Sequence, residues 1–487
     1  MSVAQVITVA FKGVNAIKID VQVHIGNGLP HFAIVGLPDK SIGEAKERIR
    51  AMFNVIGLSL PPKRITVNMS PASMQKEGSH YDLPIAIGIL VGMGIIQQNA
   101  IENWVVLGEL SLDGSLQHVP GILIAAMFAN MHNYDLICPY TSGSQAKLAG
   151  GNLKIIAPKN IREIIAYLKG DYIISDNFEC ALEDNKYDID MKEVNGQEVA
   201  KRALEIAALG GFHVLFIGPP GVGKSMLAKR MITILPSLNP QESLEVTMIY
   251  SMANKLEKGI LKTKRPYREP HHSSSLPALV GGGSNAMPGE ISLAHNGVLF
   301  MDELAEYSKA LEGLRQSMES GEITIARAQN HITYPAKSQV IAAMNPCKCG
   351  NYGTSKGCVK ESCARDYQNK VSGPIFDRFD LIVYLDNIEN FDQKNNSESS
   401  AQIRERIENA TKFHNQRYEQ KCDKLQIEEM NIETDAMDVL IAFGKKHQIS
   451  RRSFVKIGRV ARAIANLDAS EKVQKRHMFE AMMYRRK

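Results

Sequence analysis

The chain has 487 residues, of which 44% are hydrophobic and 22% are charged, and its formal net charge is +5. This composition is that of an ordinary soluble protein with two or three domains, and so small a charge does not by itself argue for nucleic-acid binding. The longest apolar stretch, residues 83–96, is too short to cross a bilayer and is interrupted by proline and glycine, so we expect a cytoplasmic protein without a membrane partner.

The first block of the chain, residues 1–170, alternates short β-like runs with helical patterns. Residues 17–23 and 65–68 have the composition of strands, whereas residues 42–53 and 84–94 have the apolar spacing of helices. This alternation predicts a self-contained α/β domain.

An acidic segment, residues 171–192, follows and is interpreted as a linker because polar and charged residues dominate it. The next block, residues 193–390, alternates strands and helices in the way that predicts a parallel nucleotide-binding sheet. From residue 391 to residue 487 the pattern is mostly helical, which predicts a helical lid domain. The expected fold class is therefore α/β with a helical appendage.

The second block contains a complete G-x-x-x-x-G-K-S loop between a strand-like run and a helical run. Its residues are Gly218, Pro219, Pro220, Gly221, Val222, Gly223, Lys224 and Ser225. Such a loop turns backbone N–H groups toward phosphates, its lysine places a cation on the outer phosphates, and its hydroxyl ligates Mg²⁺. The sequence therefore predicts ATP and Mg²⁺ as the bound groups.

A second apolar strand, residues 297–301, ends in the adjacent carboxylates Asp302 and Glu303. Next to a phosphate loop, Asp302 is predicted to hold the Mg²⁺ shell and Glu303 to polarise the attacking water. The alternative is that both acids only cap the following helix. A third strand ends at Asn345, whose amide could orient the same water, although asparagine is also common in turns.

The distance from Lys224 to Asp302 exceeds a single βαβ unit, so a segment is inserted between them. This insertion contains the glycine-rich run 280–284. A second projection, residues 322–334, alternates on both sides of a polar turn and predicts a β-hairpin.

Four of the seven cysteines, Cys347, Cys349, Cys358 and Cys363, fall within a short segment. Four thiolates could bind tetrahedral Zn²⁺, although the first pair is closer in sequence than the usual C-x-x-C. An iron–sulfur cluster and reduced structural cysteines remain the alternatives.

These motifs, together with Pro270-His271-His272 and Pro288-Gly289-Glu290, resemble the AAA+ ATPases of the magnesium-chelatase-like clade, and in particular the ComM (YifB) family. The resemblance extends over the whole chain. It implies a homohexamer that hydrolyses ATP and acts on single-stranded and branched double-stranded DNA, promoting branch migration during natural transformation. Recombination proteins are then candidate partners.

The resemblance also assigns residue roles. It makes Lys224 and Ser225 the Walker A pair, Asp302 and Glu303 the Walker B pair, and Asn345 sensor 1. Arg378 matches the arginine finger that reaches a neighbouring subunit's γ-phosphate. Arg452 is the choice for sensor 2, with Arg451 and Arg462 as competitors.

Two of these arginines also have simpler explanations. Arg378 could form a surface ion pair with Asp377 or Asp380. Arg452 belongs to a basic row on one lid helix, and most of that row could be a solvated helix face. The members of the row are Arg451, Arg452, Lys456, Arg459 and Arg462.

In the resembling clade the inserted hairpins face a central pore. Arg327 and the loop residues Gly282, Gly283 and Ser284 are therefore candidates for contact with the DNA backbone. The alternative is that both segments make only packing or subunit contacts, because no aromatic stacking platform accompanies them.

The N-terminal domain resembles the Lon-protease-like fold, most visibly in residues 76–84 and 107–114. Alignment places His80 at the position of the catalytic serine and Ile122 at that of the lysine, so a protease is not expected. The same fold serves as a DNA-associated ring platform in RadA helicases, and we expect that role here.

The leading hypothesis is thus a hexameric DNA translocase. The alternative is a remodelling ATPase like the magnesium-chelatase motor, acting on a protein partner, although this chain lacks the D-x-S-x-S motif of that motor's partner subunit. An ATP-dependent protease is opposed by the missing dyad, and a non-enzymatic scaffold is opposed by the two Walker carboxylates.

Overall fold

The structure is a computed structural model, and it describes residues 3–173, 178–184, 186–257, 259–283, 286–307, 311–326, 331–350, 352, 357–358, 360, 362–386 and 397–485. Within these ranges no helix combines the length and the apolar character needed to cross a membrane.

The N-terminal part is built around a mixed seven-stranded sheet with the strand order β3-β4-β2-β1-β5-β8-β9. Its strands and those of a small neighbouring hairpin are β1 (Ala4–Lys12), β2 (Asn15–Gly26), β3 (His31–Val35), β4 (Arg64–Ser70), β5 (Trp104–Val106), β6 (Glu109–Leu110), β7 (Leu116–Gln117), β8 (Asp135–Ile137) and β9 (Ile155–Ile156). The helices are α1 (Lys40–Val55), α2 (Asp82–Gly92), α3 (Ile122–Met131), α4 (Gly143–Lys147) and α5 (Ile161–Lys169).

The longest apolar stretch of the sequence forms helix α2, and its residues from Asp82 to Leu90 are all buried. The helix packs on β1 and β2, where Gly88 comes so close to Val23 that a methyl group on Gly88 would lie 2.6 Å from it. The apolar run therefore forms a core helix, consistent with the helical pattern predicted for residues 84–94.

The middle part contains the predicted parallel sheet, with the strand order β13-β16-β19-β11-β20. Three further strand pairs, β10 with β12, β14 with β15 and β17 with β18, lie outside this sheet. The strands of the middle part are β10 (Ala181–Leu182), β11 (Val214–Ile217), β12 (Ile260–Leu261), β13 (Tyr267–Arg268), β14 (Gly281–Gly282), β15 (Met287–Pro288), β16 (Val298–Met301), β17 (Glu322–Ala326), β18 (His331–Pro335), β19 (Gln339–Met344) and β20 (Leu381–Tyr384). The helices are α6 (Glu198–Gly210), α7 (Lys224–Ile234), α8 (Pro240–Met252), α9 (Leu276–Val280), α10 (Glu290–Leu293), α11 (Leu311–Ser320), α12 (Cys363–Gln368) and α13 (Gly373–Phe376).

The central strands are apolar throughout because both faces of this sheet are covered. In β11, Val214 and Phe216 face a core shared with α6, α7 and the C-terminal helices, whereas Leu215 and Ile217 face the side of α11 and the hairpin. The carboxyl ends of β11, β16 and β19 therefore meet at one edge, and the residues after these strands can form a common site.

The C-terminal part consists of α14 (Ser400–Asn415), α15 (Thr434–His447), α16 (Arg451–Leu467) and α17 (Lys475–Met483). This confirms the predicted helical region. Helix α16 begins after Ser450, whose hydroxyl accepts a hydrogen bond of 3.1 Å from the Ser453 N–H. That cap fixes Arg451 and Arg452 in the first turn of the helix.

The predicted hairpin is confirmed as the antiparallel pair β17 and β18. Strand β18 of the hairpin lies against the turn between β1 and β2, where a methyl group on Gly13 would lie 2.4 Å from the Thr333 carbonyl oxygen. The N-terminal part also contacts α8 and the turn after it, since His118 Nε2 lies 3.0 Å from Asn254 Oδ1 and the Gly121 N–H donates to Ser251. The N-terminal part thus contacts both the hairpin and the region of α8.

Candidate nucleotide site, arginine cluster and cysteine cluster

The phosphate loop joins the end of β11 to the start of α7, as the sequence predicted. Gly221 and Gly223 have φ angles of 83° and 92°, a left-handed conformation that glycine adopts without steric cost. A methyl group on Gly218 would lie 2.6 Å from the Leu385 carbonyl oxygen, so the loop runs directly against the end of β20. The loop thereby brings its N–H groups to the N-terminus of α7, where the helix favours anions.

The Lys224 ammonium group lies inside this loop. It donates to the carbonyl oxygens of Gly218 and Pro219 over 2.6 and 2.8 Å and to Oδ1 of Asn345 over 3.1 Å. Burial lowers the pKa of Lys224, while the nearby carboxylates of Asp302 and Glu303 oppose that shift. The structure therefore brings the loop lysine and the amide at the end of β19 into direct contact.

Ser225 and Asp302 form the second contact of this group. The Ser225 hydroxyl donates to Oδ2 of Asp302 over 2.9 Å, while Oδ1 accepts the Glu303 N–H over 3.0 Å. A hydroxyl oxygen next to a carboxylate oxygen, beside a phosphate loop, suits Mg²⁺, which binds one or two protein oxygens together with phosphate oxygens. We call Lys224, Ser225, Asp302 and Asn345 the phosphate site.

Glu303 follows Asp302 with a φ angle of 55°, and its side chain does not cap the short helical turn behind it. The helix-capping alternative is therefore wrong for this residue. Its Oε2 lies 3.3 Å from Nδ1 of His272, whose ring packs against that of His271 at 4.2 Å between centroids. No role for His272 was predicted from the sequence. The signal was present, because His272 follows β13, the parallel neighbour of β16.

Arg378 and Arg452 lie together in a second group, which we call the arginine cluster. Arg378 is 3% exposed, its Nη1 donates to the Pro374 carbonyl oxygen, and its Nη2 contacts Oε1 of Glu319. Nη1 of Arg452 lies 3.2 Å from the same carboxylate oxygen. Glu319 therefore bridges a residue after α13 and a residue at the start of α16.

The two aspartates near Arg378 have other partners. Asp377 accepts a hydrogen bond of 2.9 Å from the Ser453 hydroxyl, and Asp380 lies 2.9 Å from the Lys456 ammonium. Burial raises the Asp380 pKa, but Lys456 and His213 outweigh this effect and hold it below its usual range. The alternative of a surface pair between Arg378 and one of these aspartates is therefore wrong.

Most of the basic row on α16 is not a solvated face, because only Arg451 and Arg452 are exposed. Lys456 is buried and donates to the Arg378 carbonyl oxygen over 2.5 Å. Arg462 is fully buried, and its Nη1 donates to the Glu471 carbonyl oxygen over 2.7 Å. Of the three sensor-2 candidates, Arg462 is buried and bonded to main-chain carbonyl groups, and Arg451 is exposed. Arg452 contacts Glu319 and so belongs to the arginine cluster.

The four clustered cysteines converge. Their sulfur atoms all lie within 4.8 Å of one another, with Cys347 to Cys349 at 3.3 Å, Cys347 to Cys358 at 3.5 Å, Cys349 to Cys358 at 3.6 Å and Cys349 to Cys363 at 3.7 Å. Four thiolates around a tetrahedral Zn²⁺ with bonds of about 2.3 Å lie about 3.8 Å apart. The arrangement can therefore hold one metal ion.

Of the candidate DNA contacts, Gly282 forms part of the short strand β14 and Gly283 follows it, with φ angles of 146° and 79°. Ser284 and Arg327 lie outside the described residues. The structure places Gly281 close to the hairpin, since a methyl group on Gly281 would lie 2.7 Å from Cδ1 of Ile325. The glycine-rich run and the hairpin are thus neighbours.

The two positions aligned with a protease dyad hold side chains without that chemistry. His80 is buried, its Nε2 lies 3.0 Å from the Val9 carbonyl oxygen, and burial lowers its pKa to about 4. Ile122 is a fully buried core residue at the start of α3. A neutral imidazole and an aliphatic side chain cannot form a serine–lysine pair.

A parallel sheet that gathers a phosphate loop, a strand-terminal acidic pair and a strand-terminal amide at one edge defines a P-loop nucleotide-binding protein. Comparison with known families agrees. The model for magnesium chelatase subunit ChlI matches residues 190–393, that for subunit ChlI of Mg-chelatase matches residues 21–142, and that for the ChlI C-terminal region matches residues 397–485.

Relatives of similar length cover the entire chain. It is 39% identical to the uncharacterised protein YifB of Salmonella typhimurium over 100% of this chain and 97% of that protein. It is 38% identical to the competence protein ComM of Haemophilus influenzae over 100% of this chain and 98% of that protein. A more distant match, 25% identical over 39% of this chain and 22% of the relative, is the DNA helicase MCM8 of Bos taurus. The chain therefore belongs to the ComM/YifB family of magnesium-chelatase-like AAA+ ATPases.

Proposed function

We propose that this protein is a homohexameric, ATP-driven DNA translocase that promotes branch migration of recombination intermediates during natural transformation. The observation that carries the proposal is that the phosphate site is assembled within the chain, whereas the contacts of Arg378 among the described residues are to Pro374 and Glu319 and not to that site. Added support comes from a full-length relative named as a competence protein and from a distant relative named as a DNA helicase.

In the proposed reaction, the loop residues from Gly218 to Gly223 and Lys224 hold the phosphates of ATP. Ser225 and Asp302 would hold Mg²⁺, which neutralises charge on the phosphates when it is bound. Glu303 accepts a proton from the attacking water, and Asn345 orients that water. His272 holds the Glu303 carboxylate through the contact of 3.3 Å and so limits its rotation.

The proposed trans role of Arg378 follows from its contacts. Its partners in the structure are Pro374 and Glu319, and its Nε is buried without a hydrogen-bond partner among the described residues. A guanidinium with unused donors stabilises the charge of a phosphoryl group in transfer, and supply from a neighbouring subunit makes hydrolysis depend on assembly. We assign Arg452 to the same interface, since both arginines bind Glu319.

For DNA, we propose that the hairpin of β17 and β18 and the glycine-rich loop face the pore of the ring. Arg327, Gly282, Gly283 and Ser284 would then contact the phosphate backbone without reading sequence. Each basic side chain adds one salt-sensitive contact, and six copies in a ring add together.

We further propose that the division at residues 170, 192 and 390 separates a platform domain, an acidic linker, the ATPase core and the lid. Support for a platform role comes from the contact of the β1–β2 turn with hairpin strand β18. Recombination proteins are the expected partners of the assembled ring.

We propose that Cys347, Cys349, Cys358 and Cys363 bind Zn²⁺. A multinuclear iron–sulfur cluster spreads its thiolates over several irons, whereas these sulfur atoms are close enough to share one ion. The Tyr352 N–H also donates to the Cys347 sulfur over 3.2 Å, as expected around a bound thiolate. When bound, the ion would brace the segment between Asn345 and Arg378.

The test is ATP hydrolysis and strand exchange on a synthetic mobile three- or four-way junction. We expect the wild-type protein to move the junction and to hydrolyse ATP faster with DNA. Lys224→Ala and Glu303→Gln are controls that should abolish both activities. Absence of junction movement and of DNA stimulation in an active ATPase would reject the DNA proposal.

The second candidate function is remodelling of a protein partner, as suggested by the matches to models named for a magnesium chelatase subunit. It shares the ATPase site and differs only in what the moving segments contact. Stimulation of hydrolysis by a protein from the same cell, with none by DNA, would favour this candidate.

A further inference from the structure

Glu319 is placed where it can control both arginines of the cluster. One of its oxygens, Oε1, contacts Nη2 of Arg378 and lies 3.2 Å from Nη1 of Arg452. The two arginines belong to separate parts of the chain, and this single carboxylate joins their guanidinium groups. No role for Glu319 was predicted from the sequence.

Two guanidinium groups, those of Arg378 and Arg452, contact the single carboxylate of Glu319. Asp377 already bonds to the Ser453 hydroxyl, and Asp380 is paired with Lys456. Glu319 is therefore the carboxylate that counters both guanidinium groups among the described residues. Its partial burial raises its pKa, but the hydrogen bond from Arg452 and the charge of Arg378 outweigh burial and hold the pKa below the usual range, so it is ionised at neutral pH.

Glu319 is also connected to the hairpin. It is the penultimate residue of α11, and β17 begins three residues later. The Gly321 N–H donates to the Ser317 carbonyl oxygen over 2.9 Å, and the Ala336 N–H donates to the Gly321 carbonyl oxygen over 2.8 Å. The end of the helix and both strands of the hairpin are thus tied together, so a displacement of Glu319 displaces the hairpin base.

We propose that Glu319 is a positioning residue that couples the arginine cluster to the DNA-facing hairpin. This inference rests on the proposed function, in which Arg378 and Arg452 serve the phosphates of a neighbouring subunit. Glu319 and those phosphates compete for the same guanidinium groups. DNA on the hairpin shifts α11 and weakens the hold of Glu319, which releases the arginines toward the neighbouring nucleotide.

The test compares ATP turnover with and without DNA in wild type and in Glu319→Gln, which keeps the shape and removes the charge. We expect basal turnover of the variant to rise by about 3- to 10-fold because competition is lost. The stimulation ratio, defined as turnover with DNA divided by turnover without it, should fall to about 1. Glu319→Asp retains the charge and should recover at least about half of the wild-type ratio.

The matched control is Glu312→Gln on the same helix, where Glu312 is exposed and 3.3 Å from Arg315. It should leave both basal turnover and the stimulation ratio unchanged. An equal fall of basal and stimulated turnover in Glu319→Gln, with the same thermal unfolding midpoint as wild type, would show a merely structural role and overturn the inference. No change in either rate would overturn it as well.

The failure of the proposed DNA function has a different signature. If DNA does not stimulate the wild-type protein, the DNA proposal is rejected, and the basal rate alone decides about Glu319. A rise of that rate in Glu319→Gln would then retain Glu319 as a restraint on the arginines, whereas an unchanged or lower rate would remove that role.

Discussion

The phosphate site and the arginine cluster differ in how their charged groups are partnered. In the phosphate site, Lys224 contacts Asn345 and Ser225 contacts Asp302, so each polar group has a partner within the chain. In the arginine cluster, Arg378 and Arg452 share one oxygen of Glu319, and the buried Nε of Arg378 lacks a hydrogen-bond partner in the described part of the chain.

This difference bears on where each group works. A buried polar group without a partner is costly, so its presence in a native protein calls for a cause such as a catalytic role or a bound ion. The phosphate site is ready for a nucleotide of its own chain, whereas the arginine cluster has an excess of positive charge that an anion from outside could balance. The proposed neighbouring ATP is such an anion.

The largest expected effect is that of Lys224→Ala. Loss of the cation from the loop should prevent tight ATP binding and lower turnover by about 10⁴-fold or more, because the phosphate charge is then uncompensated. Binding of a fluorescent ATP analogue and phosphate release would be measured together. Retained tight binding would show that the loop lysine is not central to the phosphate site.

Arg378→Ala should distinguish the role of the arginine cluster from that of the phosphate site. We expect turnover to fall by about 10³-fold, because a guanidinium no longer stabilises the transferred phosphoryl group, while ATP binding stays within a few-fold of wild type. The same two assays measure both quantities. Equal losses of binding and turnover would mean that Arg378 supports the phosphate site of its own chain.

Removal of metal from the cysteine cluster should weaken the segment that connects the two regions. Purified protein should contain about one zinc per chain, and Cys347→Ala should lose it and lower the unfolding midpoint by several degrees. Elemental analysis and thermal unfolding measure both changes. Cys180→Ser, an exposed cysteine outside the cluster, is the matched control. Purified protein without zinc or iron would refute the metal site.

A smaller effect is expected at His213, which links the two regions. Its ring Nδ1 accepts the Val340 N–H of β19 over 3.0 Å, and its backbone N–H donates to Oδ2 of Asp380 over 2.9 Å. Burial lowers its pKa to about 4. The folded state therefore binds a proton at His213 less readily than the unfolded state does. The contribution of neutral His213 to the free energy of unfolding is complete above the unfolded pKa of about 6.5 and is lost as the pH falls toward 4.

His213→Asn keeps an oxygen acceptor for Val340 and removes the titrating group. Between pH 7 and pH 5 its free energy of unfolding should therefore decrease by about 1 to 2 kcal/mol less than that of wild type. Denaturant titrations at both pH values measure this difference. An unchanged dependence on pH would show that protonation of His213 does not destabilise the fold.

Local patterns were sufficient to predict much of the phosphate site. The loop from Gly218 to Ser225 has fixed spacing, and the strands that end at Asp302 and Asn345 are short apolar runs followed by polar residues. In a parallel sheet such strand ends meet at one edge, so sequence position determines spatial proximity. The hairpin was predictable for the same reason, since alternation and a polar turn are local signals.

The arginine cluster depends on contacts between distant segments, which local patterns do not reveal. Glu319 is one of two exposed acids on α11, and nothing near it in sequence indicates Arg378 or Arg452. Lys456 and Arg462 belonged to a row of basic residues with the spacing of a solvated helix face. They are buried because main-chain carbonyl groups of other segments accept their hydrogen bonds.

The central claim, that the hydrolytic site is shared between subunits, is tested most directly by mixing inactive variants. Arg378→Ala subunits retain a phosphate site, and Lys224→Ala subunits retain the arginine. At random equal mixing, about one quarter of the interfaces combine both intact halves, so turnover should recover toward that fraction of wild type. A mixture of Arg378→Ala with the Lys224→Ala/Arg378→Ala double variant should stay inactive. No recovery at any ratio, in rings shown to contain both variants, would contradict the shared site.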